Sequence, residues 1–216
     1  MRWLIAALLL FGTSLTAQPL RVLAIGDSVM AWHKWTGRDI PSVMGDLLGA
    51  TVENDAVAGS RFSNASALGR AIGFDVRAQF RPGAWDLILI NGGANDFLND
   101  CNCRACDAVL NGLIDSDLSG EVPAFLKRLQ QTGAQVIWMG YYASARSGQF
   151  TGCRSYLVEY DARIARFAAA TPGVQFVDSE DAIDPTDRSL FAFDGIHPSP
   201  AGARRIGTYL AQSLSR

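Results

Sequence analysis

Histidine is scarce in this chain, with two among 216 residues, at positions 33 and 197. Each imidazole therefore calls for a reason. Charge of one sign is also lacking: 19 Lys and Arg stand against 21 Asp and Glu, with no run of like charge. Without a polycationic field there is no electrostatic case for nucleic acid, and a small molecule or a neutral polymer is the expected partner. Long apolar runs are missing as well. The one at the start, Trp3 to Phe11, falls far below the ~20 residues that a bilayer span needs. With Arg2 before it and small or polar residues up to Ala17, residues 1–17 read as a secretory signal peptide, with Leu15 an imperfect fit to the cut. No cysteine near the cut suggests a lipid anchor. No internal repeat, low-complexity tract or linker argues for a second domain, so residues 18–216 are expected to form one domain without a stable membrane span, exported to the periplasm or beyond.

What is present alternates. Leu20 to Ile25, Thr51 to Glu53, Leu87 to Ile90, Gln135 to Met139 and Val174 to Val177 are short apolar runs that read as buried strands. Ile40 to Leu48, Ala65 to Gln79, Leu118 to Thr132, Tyr156 to Ala170 and Ala201 to Leu214 carry the three- and four-residue spacing of helices. Strands alternating with helices predict an α/β fold with three layers, α/β/α, around a parallel five-stranded sheet. In such sheets ligands gather beyond the carboxyl ends of the strands. Four polar, glycine-bearing turns should converge there: GDSVM after the first strand, NDAVAGS after the second, NGGAND after the third and, by a longer loop, DGIH after the fifth.

Four cysteines remain, Cys101, Cys103, Cys106 and Cys153. In an exported chain they suggest disulfides, with zinc thiolates as the lesser reading. A Cys101–Cys103 bridge would be strained, which leaves Cys101–Cys106 with Cys103–Cys153, or Cys103–Cys106 with Cys101–Cys153.

The turns carry a chemical pattern. Ser28 follows the first strand directly and could cap a helix, or attack if a base takes its proton. His197 can be that base, and Asp194, three residues earlier, can hold its ring tautomer. Gly195 allows the bend between them, while Pro198 and Pro200 stiffen the exit. Attack on an acyl carbon creates an oxyanion that needs aimed donors. Gly59, with no Cβ in the way, offers a backbone N–H; Asn95 offers an amide, and Ser28 its own N–H. Asp27 and Asp96 are expected to fix their turns by backbone hydrogen bonds. His33 has no partner at triad spacing. Trp32 and Trp35 could wall a pocket or pack as core or lid.

Four blocks in order resemble the SGNH hydrolases, or GDSL esterases and lipases: Gly26-Asp27-Ser28-Val29, Gly59, Gly93-Ala94-Asn95-Asp96 and Asp194-Gly195-Ile196-His197. Valine stands where the first block usually has leucine, and Ala56 where many members have a glycine. Gly26 to Met30 is also not the G-x-S-x-G elbow of α/β-hydrolases. The resemblance implies a flavodoxin-like sheet. It implies a serine esterase with Ser28 as nucleophile, His197 as base, Asp194 as its orienter, and Ser28, Gly59 and Asn95 as the oxyanion hole. No metal or organic cofactor is implied, and the substrate would be a small-molecule ester or an acylated glycan or lipid. Lysophospholipase, thioesterase, arylesterase and carbohydrate esterase activities all occur in the family, and the compact exported chain looks most like its periplasmic lysophospholipases and thioesterases. An O-acyltransferase or carbohydrate O-deacetylase of envelope polysaccharide would use the same triad. A non-catalytic binding module is the remote alternative.

Overall fold

Five short segments of almost wholly apolar sequence pair into one parallel sheet. In the computed structural model, which describes residues 18–64, 66–145 and 148–214, these are β1 (Arg21–Ile25), β2 (Thr51–Asn54), β3 (Leu87–Ile90), β4 (Gln135–Met139) and β5 (Val174–Val177). The expected signal segment lies outside the described residues. Strand order is β2-β1-β3-β4-β5, the flavodoxin-like order, with Val22 beside Leu87 and Ile90 beside Trp138. The three central strands bury every residue except Arg21 and Gln135 at their entrances, whereas the edges β2 and β5 are part-exposed. That difference is what a parallel sheet covered on both faces requires.

One covering layer holds α2 (Ile40–Leu48) and α8 (Pro200–Leu214), packed on each other. Their approach is close, because a Cβ on Gly207 would meet Val43 at 2.8 Å. The other layer holds α4 (Ala94–Cys101), α5 (Asp107–Leu113), α6 (Glu121–Gln130) and α7 (Arg154–Ala169). Among the described residues no helix is long and apolar enough to cross a membrane.

Three helix readings need correction. The helix expected over Ala65 to Gln79 is a short α3 (Ala67–Ala71) followed by a 3₁₀ turn over Val76–Gln79. Gly73 breaks it with φ +80°, and Asp75 caps the second piece by accepting from Arg77 N–H. The helix expected from Leu118 begins at Glu121, since Leu118 and Gly120 both have positive φ and Asp115 folds the preceding loop by accepting from Asp117 and Ser119. Helices α4 and α5 fall on the NGGAND turn and just after the Cys101–Cys106 cluster, where no helix is expected. The disulfides are Cys101–Cys106 and Cys103–Cys153, the first of the two pairings left open, and they take up all four sulfurs.

Candidate active site

The sequence predicts convergence at the carboxyl edge of the sheet, and the turns meet there. Ser28 opens the one-turn helix α1 (Ser28–Ala31) directly after β1, with Asp27 as its N-cap, accepting from Val29 N–H at 2.9 Å. The chain can turn this sharply because Gly26 has φ +150° and a Cβ there would collide with Asn91 Oδ1 at 2.0 Å.

Asp194 and His197 lie on a loop stapled on itself. Ala192 N–H donates to the His197 carbonyl at 2.8 Å and Ser199 N–H to the Leu190 carbonyl at 2.9 Å. Ser199 Oγ then accepts from Ala201 and Gly202 N–H, which starts α8 at Pro200, one residue earlier than expected. Gly202 is required by contact, since a Cβ there would meet the Leu190 carbonyl at 2.0 Å. On this loop Asp194 Oδ1 accepts from the N–H groups of Ile196 and His197, at 2.9 and 3.0 Å. Its Oδ2 lies 2.6 Å from His197 Nδ1, and His197 Nε2 lies 2.8 Å from Ser28 Oγ. Partial burial works against the Asp194 carboxylate, but the hydrogen bonds from His197 and the two backbone groups outweigh it and hold its pKa below the ordinary value. An ionised Asp194 keeps the proton on Nδ1, so Nε2 faces Ser28 with its lone pair.

The proposed oxyanion donors are brought to the same edge through one linkage. Asn95 Nδ2 donates to the Ser60 carbonyl at 3.1 Å, tying the third block to the second. Gly59, beside Ser60, is exposed with φ +81°. Asp96 closes the same joint by accepting from Phe62 N–H at 3.1 Å and Ser63 N–H at 2.7 Å. Burial raises the Asp96 pKa to about 6 against those bonds. Asp27 and Asp96 therefore hold turns, as their positions suggested.

Further residues reach the site. The Trp32 indole lies flat on the His197 imidazole, centroids 3.9 Å apart and planes 4° from parallel. His33 Nε2 lies 3.2 Å from the Pro198 carbonyl, so both residues after α1 brace the His197 loop. Trp35, by contrast, is 91% exposed and neither walls the site nor packs as core. Beneath Ser28, Asp27 takes hydrogen bonds from the Tyr141 hydroxyl and Asn91 Nδ2, while Asn91 Oδ1 accepts from Asp27 N–H. Burial pushes the Asp27 carboxyl up, against the bonds from Tyr141, Val29 and Asn91. It pushes the Tyr141 phenol up too, helped by Asp27, so Tyr141 remains a donor. The strand-end rule could have found Tyr141, which follows β4 by two residues; a buried tyrosine passes for core.

Ser28, Asn95, Tyr141 and Tyr142 share a mostly apolar cavity that accepts water-sized groups over about 40 Å³. The model of the GDSL-like lipase/acylhydrolase family matches residues 24–205, a span running from β1 into α8 and including every block described. The chain belongs to that family. Its fold is shared with other GDSL-like and SGNH hydrolases at low identity. An acetylxylan esterase from Geobacillus stearothermophilus superposes with a TM-score of 0.64 at 18% identity, over 90% of this chain and 94% of that one. TesA gives 0.61 at 18%, over 90% and 97%. No curated protein matches the chain in sequence. As a GDSL-like acylhydrolase the protein is an ester hydrolase by class, and these distant structures speak for its fold alone.

Proposed function

We propose that this GDSL-like hydrolase is a serine esterase that cleaves carboxylic esters through an acyl-enzyme on Ser28. The observation that carries the reading is the unbroken relay from Ser28 Oγ to His197 at 2.8 Å and on to Asp194 at 2.6 Å. Ser28 Oγ attacks the acyl carbon as its proton passes to His197 Nε2. The resulting oxyanion is held by the N–H groups of Ser28 and Gly59 and by Asn95 Nδ2. As the carbon–oxygen bond of the ester breaks, the alcohol takes the proton from His197. Water, deprotonated by the same nitrogen, then attacks the acyl-enzyme, releasing the acid and restoring Ser28. Trp32 is a positioning residue in this scheme, fixing the ring plane of His197 and offering its π face to the imidazolium that forms. Two disulfides fit an oxidising compartment, which supports export.

The test uses a chromogenic short-chain ester and a fluorophosphonate that labels reactive serines. Wild type is expected to turn over the ester and to be labelled on Ser28, and Ser28→Ala to lose both. Turnover retained in Ser28→Ala would sink the mechanism. Labelling of Ser28 also separates this reading from a binding module with an idle triad.

A further inference from the structure

The cavity beside Ser28 adjoins a second cavity. The first, about 40 Å³, is lined by Ser28, Asn95, Tyr141, Leu157 and Ile196, among others. The second, about 330 Å³, lies over Ala143, Thr151 and Arg154 and does not include Ser28 among its lining residues. Tyr142, Ser144, Phe150 and Leu157 line both, so these four side chains form the wall between them.

From this partition we infer that the acyl group taken by the enzyme is short, an acetyl or propionyl, and that Leu157 and Phe150 set that limit. The inference rests on the serine-esterase reading, because it takes the cavity that Ser28 opens into as the acyl subsite. An apolar cavity of about 150 Å³ takes a benzene ring, so at about 40 Å³ this one has room for one or two carbons beside the reacting carbonyl. That is an acetyl or a propionyl group and no more. The wall is also well anchored. Tyr142 donates to the Ile196 carbonyl at 3.0 Å, on the His197 loop. Leu157 is buried on α7, next to Tyr156, whose ring stacks on Phe97 of α4. Between Phe150 and Leu157 stands Cys153, tied to Cys103 beyond the end of α4. A longer chain would have to displace side chains held from three sides, and overpacking of such sites is unfavourable.

The experiment is a series of p-nitrophenyl esters from acetate to octanoate, read as kcat/KM for wild type, Leu157→Ala and Phe150→Ala, with fluorophosphonate labelling of Ser28 in each. Wild type is expected to prefer acetate or propionate over octanoate by about 10- to 100-fold, in line with the discrimination that an apolar pocket gives. Either truncation joins the two cavities and should raise the octanoate-to-acetate ratio by about 10-fold or more. Octanoate turned over as well as acetate by a wild type labelled on Ser28 would overturn the acyl limit and leave the mechanism standing. Absence of both turnover and labelling would instead remove the mechanism, and the limit with it. If Leu157→Ala fails to fold, the wild-type series and Phe150→Ala still decide.

Discussion

Replacing Asp194 by asparagine tests the electrostatics of the relay while leaving its shape in place. The loop depends on Asp194 Oδ1, which takes N–H bonds from Ile196 and His197 at 2.9 and 3.0 Å, and an amide oxygen can keep both. The change falls on the other oxygen. At 2.6 Å from His197 Nδ1 an amide NH₂ would replace an acceptor, two donors cannot face each other, and the ring must give up its Nδ1 proton. That proton moves to Nε2, where it points at Ser28 Oγ, and the base is lost. The equivalent exchange in a serine protease triad lowers kcat by about 10⁴, or ~5 kcal/mol of barrier at ~1.4 kcal/mol per tenfold. We expect a similar loss in kcat for Asp194→Asn with KM nearly unchanged. Thermal stability should fall by no more than about 1 kcal/mol, the scale of a single altered hydrogen bond. Steady-state kinetics on p-nitrophenyl acetate, run beside a thermal melt by circular dichroism, measures all three. A kcat within tenfold of wild type, in a variant that melts normally, would refute the claim that Asp194 selects the tautomer.

Two further outcomes are expected. Trp32→Ala removes the face lying 3.9 Å from His197 and should lower kcat by about 3- to 30-fold, the range of cation–π contacts from exposed to desolvated, with KM little moved. Trp32→Phe should recover most of the loss, and an unaffected kcat in Trp32→Ala would show that the stack is idle. Asp96 supplies a pH test of stability. Its folded pKa, about 6, lies above the ordinary 3.8, so between those values the native state holds a proton that the unfolded chain has released. The contribution of Asp96 to unfolding free energy therefore falls as pH rises through that window, by about 3 kcal/mol in all. Asp96→Asn cannot titrate, and urea melts at pH 4 and 6.5 should show a smaller drop than in wild type. Equal drops would mean that Asp96 ionises normally.

Much of the site was legible because its residues sit where the chain leaves a strand. Ser28 follows β1 with two residues between, and Asp194 and His197 share one short loop, so spacing alone predicts that they can act together. Other parts were hidden for local reasons. Helix α4 begins within the third block, and its opening Gly93, in the left-handed region at φ +111°, reads as a turn. Helix α5 starts right after the cysteine cluster, where linked cysteines mask any helical signal. Tyr141 looks like a core residue, and Trp32 fits a pocket wall, core or lid equally, because a large aromatic side chain declares burial and not what it is buried against.

By itself the sequence determined the parallel sheet, since apolar runs of strand length separated by helical periods leave few other packings, and it marked the turns that converge at one edge of that sheet. Only the tertiary structure decided which side chains meet across those turns. His197 lies 169 residues from Ser28, and the bond between them exists because β1 is central in the sheet while α8 returns the last loop to its end. The same holds for the disulfide pairing, where both candidates satisfied sequence spacing and the seating of α7 brought Cys153 to Cys103. It holds most for the wall of Tyr142, Ser144, Phe150 and Leu157, drawn from the loop after β4 and from α7. Its position depends on how helix and loop pack together, and close packing is a property of the folded chain.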